Sequence, residues 1–151
     1  MNETRSSDDS SELPRSEFAF PGPLRVRLVD AILDGRKTTT TSLAQEYEIG
    51  QETLPRSGQR SVVVDSNNQP VCVIETMEVR IVQMGEVDFR HVVDEGEGHA
   101  TVADWRKGHE DFWRSDEMRE SLEGSALTLD DETRVVLERF RVVERLHSTA
   151  M

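Results

Sequence analysis

Leu33-Asp34-Gly35-Arg36-Lys37-Thr38-Thr39-Thr40-Thr41-Ser42 is the stretch where the chain changes its local rule. Upstream, Leu24, Leu28, Ala31 and Ile32 recur at helical spacing. Gly35 follows as a stop, because a glycine past a helix end can take the left-handed conformation that redirects the chain. Downstream, four threonines and a serine make a β-branched hydroxyl run suited to a strand. Lys37 and Thr40 are three residues apart, and a flat strand would point their side chains to opposite faces. For an amine and a hydroxyl to meet in one pocket, the segment must turn or bulge before it becomes a strand. A phosphate-cradling P-loop does not fit, because Arg36 splits Gly35 from Lys37 and the glycine such a loop needs upstream is missing.

Working outward, the chain of 151 residues is long enough for one domain with a core of its own. Its formal net charge of -12, with 32% charged and only 35% hydrophobic residues, predicts a compact core under a heavily acidic surface. Such a field repels a phosphate backbone, so a broad duplex-DNA surface is not expected. The apolar runs are too short to span a membrane. The N-terminus is Ser/Asp/Glu-rich with no apolar signal core, so export is not indicated and the expected compartment is the cytoplasm. The single Cys72 can form no internal disulfide and reads as a buried small hydrophobe.

In chain order, residues 1–16 read as a disordered acidic, Ser-rich tail, 17–146 as one folded domain and 147–151 as a C-terminal tail. Phe18, Phe20, Pro21 and Pro23 predict an apolar, turn-rich approach pinned to the core. The Lys/Thr segment leads to a loop containing Tyr47, Gly50, Pro55 and Gly58. Ser61–Asp65 and Val71–Val82 predict two strands joined by the turn-rich 66–70. Helical spacing returns after Gly85. It is interrupted by Asp94-Glu95-Gly96-Glu97-Gly98-His99, a flexible acidic loop, and resumes at Thr101, where Thr-x-x-Asp resembles a capping box. Trp105, His109, Phe112 and Trp113 share one helix face. A short helix at Asp116–Leu122 and a closing strand at Thr133–Val143 complete an α+β order without βαβ repeats.

The residues able to do chemistry are few. A desolvated Lys37 could act as a base or nucleophile, although a lysine at a helix end is also a common solvated group. Thr40 could hold a substrate oxygen or a water. Glu97, between two glycines, could exchange a proton with a substrate, with Glu95 as the second candidate and an ordinary acidic surface loop as the competing reading. His109 fits a packed helix face better than a ligand role, and Trp105 and Trp113 fit a core at this spacing, although one of them could line a pocket and stack a base. The histidines show no i, i+4 pairing with one another and His109-Glu110 lacks the second histidine of a zinc-protease helix, so no catalytic metal and no cofactor are expected.

Gly35-Arg36-Lys37-Thr38-Thr39-Thr40 resembles the Gly-x-Lys-x-x-Thr signature of ASCH domains, a branch of the PUA-like β-barrels. Leu54-Pro55-Arg56-Ser57-Gly58, Val71–Thr76, Glu95-Gly96-Glu97-Gly98, Trp105-Arg106-Lys107-x-His109 and Val136-x-Glu138-Arg139-Phe140 are similar, in order, to the longer ASCH subgroup. The resemblance covers about Phe18 to Val143; His99 departs from the acidic or small residue expected there. It implies a curled, mostly antiparallel PUA-like β-barrel with helices packed around a central cleft. It also implies an RNA- or nucleoside-related role. Some ASCH proteins remove an acyl group from the exocyclic nitrogen of cytidine with a Lys, Thr and Glu trio, which maps onto Lys37, Thr40 and Glu97. Arg36, Thr38, Trp105 and His109 are the candidate substrate-binding residues. The expected partner is a nucleoside or single-stranded RNA. The alternatives to an N4-acylcytidine amidohydrolase are a metal-independent single-strand ribonuclease and a non-catalytic module that binds RNA or a modified base.

Overall fold

The structure, a computed structural model, describes residues 13–123 and 127–146. Its centre is a long two-stranded ribbon, β4 (Pro70–Gln83) antiparallel to β5 (Arg134–Arg145). The register runs from Cys72↔Arg145 to Gln83↔Arg134, with irregularities at Val73/Ile74 and Thr76/Glu78 that bend the pair. β3 (Arg60–Val64) flanks β4 and β2 (Thr39–Leu43) flanks β5, both antiparallel. A two-residue β1 (Arg15–Ser16) lies parallel to β3, which gives the sheet order β1-β3-β4-β5-β2. The sheet curls without closing, and β1 and β2 are its edges among the described residues.

Of the expected 1–16 tail, residues 1–12 lie outside the described residues, as do 147–151. Leu13 packs against a buried Val62, Val64 and Val73 cluster just before β1.

Helices cover the sheet in two groups. α1 (Pro23–Leu33) starts with proline in its first turn, where a missing N–H is harmless. It buries Val29 and Ile32 with Phe18, Val63, Ile74 and Phe140. α3 (Phe89–Asp94), α4 (Val102–Trp113) and α5 (Asp116–Ser121) bury Val92, Trp105, Trp113 and Met118 against Leu43, Val135 and Leu137. Thr101 caps α4 as its spacing predicts, accepting from the Asp104 N–H at 3.0 Å. The segment expected as a loop after the threonines contains α2 (Ala44–Gly50), whose Glu46 carboxylate accepts from the Leu43 N–H at 2.9 Å. Cys72 is fully buried, and burial pushes its thiol up to about 11.

Arg25 is the unexpected core residue, 1% exposed on the inner face of α1. Its guanidinium donates to the carbonyls of Phe18, Ala19 and Asp65 and to Glu17, tying the incoming chain to the β3 end. Apolar contact from Phe18 is therefore only part of what pins that approach; the remainder is a buried fork of charge-assisted hydrogen bonds. Arg25→Met leaves three carbonyls without their donor and lowers unfolding stability by on the order of 3 kcal/mol in urea titration, whereas Arg27→Met, on the exposed face, changes it little.

Candidate functional site

The segment 35–41 threads between α1 and α3. Gly35 takes φ 88°, as a glycine stop predicts. The Lys37 N–H then returns to the Ala31 carbonyl of α1 at 3.0 Å, and the Thr38 N–H reaches the Asp94 carbonyl of α3 at 2.8 Å. Only after these two anchors does β2 begin. The Lys37 side chain is 1% exposed. Its Nζ donates to the Thr39 carbonyl at 2.8 Å and to Glu97 Oε2 at 3.1 Å.

Glu97 reaches Lys37 because the loop backbone comes very close. A Cβ on Gly96, at φ 69°, would lie 2.3 Å from the Arg36 carbonyl oxygen. Glu97 lines a cleft of about 1260 Å3 whose wall also carries Thr40, Tyr47, Thr76, His109 and Glu138. Thr40 pairs with Glu138 across the β2–β5 ladder, and no side-chain hydrogen bond engages its hydroxyl among the described residues.

Behind the cleft wall lies a second carboxylate. Glu95 is fully buried. Its Oε2 accepts from the Thr41 hydroxyl, and His91 Nε2 stands 3.3 Å away. Because the Thr41 proton goes to Glu95, the 2.7 Å contact between Thr41 Oγ1 and His91 Nε2 makes the imidazole the donor. Thr39 Oγ1 donates to the His91 carbonyl at 3.0 Å. Alternate threonines of β2 thus face α3, while Thr40 faces the cleft.

A model of the ASCH domain matches residues 17–144. The chain belongs to the ASCH domain family. An ASCH domain structure from Lactobacillus crispatus is 29% identical, covers 93% of this chain and 87% of that one, and superposes with a TM-score of 0.70. A protein of Enterococcus faecalis is 30% identical over 79% of this chain and 68% of its own, with a TM-score of 0.68. An ASCH protein of Zymomonas mobilis shares the fold alone, at 9% identity over 84% of this chain and 67% of its own, with a TM-score of 0.51. No curated protein matches the chain in sequence. The α+β, PUA-like fold expected from the sequence is the one observed. No helix among the described residues is long and apolar enough to cross a membrane.

In this ASCH domain the residues singled out by sequence separate into groups. Lys37 and Glu97 are brought together; Thr40 shares the cleft wall with Glu97 without touching either. His109 lines the cleft, while Arg36 is exposed at its margin with its guanidinium held by Asp34. Thr38 does not face the cleft, because its hydroxyl is directed to the Asp94 carbonyl at 3.3 Å. Trp105 is a correction. It is 0% exposed and packs against His109, with centroids 4.5 Å apart and the rings tilted by 31°, so it cannot stack a base. Phe18, Tyr47, Phe112 and Trp113 are the aromatic residues on the lining.

The electrostatics of the buried side are one-sided. Burial alone would push the Glu95 carboxyl up, but the facing imidazoles of His109 and His91 and the Lys37 ammonium hold it well below the usual range. Burial would lower His109, and the carboxylates of Glu95 and Glu97 outweigh it and raise the ring. Ligand atoms of Glu95, Glu97 and His109 lie within 4.8 Å of one another, so this trio could hold a metal ion. Sequence spacing hides the set because its members come from a loop and a separate helix. Thr41 and His91 were also missed, although His91 and Glu95 stand at i, i+4.

Gly96→Ala forces the loop off Arg36 and separates Glu97 from Lys37. The expected result is destabilisation of more than about 1 kcal/mol with loss of site function, against near-neutrality for alanine at the exposed helical Gly50, where a Cβ would meet nothing closer than 3.4 Å. Glu138 supplies a pH test. Burial raises its carboxyl, partly offset by the Thr76 hydroxyl at 2.6 Å. The folded chain therefore keeps this proton to higher pH than the unfolded chain, and stability falls as pH rises through that window. Glu138→Gln keeps the Thr76 hydrogen bond and removes the fall, so the variant gains on wild type in denaturation midpoints as pH rises above the ordinary carboxylate range.

Proposed function

We propose that this ASCH domain is an amidohydrolase that removes the acyl group from N4-acylcytidine-like nucleosides. The observation that carries the reading is the pairing of the buried Lys37 with Glu97, which lines a cleft with Thr40 on the same wall. In the resting site Nζ donates to Glu97. When substrate fills the cleft and displaces water, transfer of that proton leaves a neutral amine beside a protonated carboxyl. A water attacks the acyl carbon and gives its proton to Lys37. Thr40 holds the carbonyl oxygen, and Glu97 delivers its proton to the leaving exocyclic nitrogen. The products are a carboxylic acid and the free cytosine amine, and the ammonium–carboxylate pair is restored. Access to Nζ requires the Glu97 side chain, 20% exposed at the cleft, to rotate aside.

Charge supports a neutral substrate. Six carboxylates line the cleft against three arginines, a poor environment for a chain of phosphates. The observation that favours the ribonuclease reading is size, since the cleft exceeds the roughly 300–1,000 Å3 of an ordinary small-ligand site.

N4-acetylcytidine is the test substrate. Lys37→Ala and Glu97→Gln lower kcat by at least about 100-fold and Thr40→Val by at least about tenfold, while Glu78→Ala turns over as wild type. Wild-type protein that leaves the acylated nucleoside intact and cuts unpaired RNA transfers the assignment to the ribonuclease. Salt-sensitive RNA binding with neither activity transfers it to a binding module.

A further inference from the structure

His109 and Glu95 face each other in an arrangement that leaves both incomplete. The His109 Nδ1–H is directed to the Trp105 carbonyl at 2.9 Å, which turns Nε2 toward Glu95 Oε1 at 3.2 Å. That approach lacks hydrogen-bond geometry, so Oε1 is a fully buried oxygen with no hydrogen-bond partner. Buried carboxylate oxygens are costly in that state. Lys37 Nζ is held by Glu97 Oε2 and the Thr39 carbonyl, so it does not supply the missing donor to Glu95 Oε1.

A cation between Glu95 Oε1 and His109 Nε2 would give both atoms a partner. In a tetrahedral site with bonds of about 2.0–2.2 Å, neighbouring donor atoms sit roughly 3.3–3.5 Å apart. The Oε1–Nε2 separation is close to that, and an oxygen of Glu97 completes the trio. The outer hydrogen bonds are those that orient metal-binding groups: the ring's far nitrogen on a carbonyl, and the carboxylate's far oxygen on Thr41. We propose that Glu95, Glu97 and His109 form a binding site for a divalent transition-metal ion, with Zn2+ the reference ion and its open coordination positions turned to the cleft. One imidazole beside two carboxylates suits Zn2+ better than Mg2+ or Ca2+, which take oxygen shells. Glu97 and His109 both line the cleft, so a water or a substrate oxygen can complete the coordination. His99, with Nε2 3.9 Å from Glu97 Oε1, stands at the same rim. The site rests on the geometry of Glu95 and His109, independently of the amidohydrolase reading.

The full chain, stripped with a chelator and titrated with ZnCl2 by calorimetry, tests this. The expected result is one Zn2+ per chain. Binding should weaken at least about tenfold in Glu97→Gln and His109→Ala and stay unchanged in the exposed Glu78→Gln. Substituted Co2+ should give visible absorption bands that vanish in the same variants. Glu97→Gln is partly exposed and isosteric, so it serves if His109→Ala, which removes a ring lying between Trp105 and Trp113, does not fold. Folded wild type that binds no stoichiometric Zn2+, or Glu97→Gln that binds it equally well, overturns the site. Deacylation by protein that binds no ion removes this site and leaves the proposed function standing. Zn2+ bound at these residues without deacylation does the reverse.

Discussion

An ammonium group sealed from water must find acceptors inside the protein, and Lys37 sets that requirement for the centre of this ASCH domain. Its two acceptors are the Thr39 carbonyl, two residues on in the same segment, and the Glu97 carboxylate of the 94–98 loop. Satisfying them forces the backbone to turn at Gly35, to anchor on α1 and α3, and to begin β2 only at Thr39. It forces the 94–98 loop into contact with Arg36, which only a residue without a Cβ allows at position 96. The strand edge, the loop and the cleft wall are thus placed by one buried charge pair. Removing Glu97 strands a buried ammonium, which costs more than the pair contributes when intact, whereas removing Lys37 leaves a carboxylate that still meets the cleft.

The same constraint explains which parts of the molecule were legible in the chain. Helix stops, strand alternation and the Thr101 cap are local, and α1, β3, β4, α4 and β5 fall close to where spacing puts them. α2 was read as a loop because Leu43, with no side-chain oxygen, stands at its start, and its capping comes from Glu46 instead. β1 is two residues long and exists only through its pairing with β3, which local sequence cannot express. Arg25 looks like a surface residue on an amphipathic helix until the chain at Phe18–Ala19 folds over it.

The candidate site divides along the same line. Lys37 and Glu97 were legible because a motif and a glycine-flanked acid are local signals. Trp105 was misassigned because a helical aromatic stripe has the same period whether it lines a pocket or fills a core. The Thr41–Glu95–His91 network was out of reach in a different sense: its members were visible, but their convergence depends on β2 passing directly over α3. The resulting site has two layers. A cleft wall carries Thr40, Glu97 and His109, and a buried layer carries Lys37, Glu95 and His91. The layers meet where Glu97 pairs with Lys37 and where His109 faces Glu95.

A double-mutant cycle in stability between Lys37 and Glu97 tests this account most directly. Lys37→Met, Glu97→Gln and the pair are compared with wild type by chemical denaturation. Each single variant should be destabilised, with a coupling energy of at least about 1 kcal/mol, so that the double variant is more stable than the sum of the singles implies. Strict additivity would show that the two groups do not interact in the folded protein and would contradict the account.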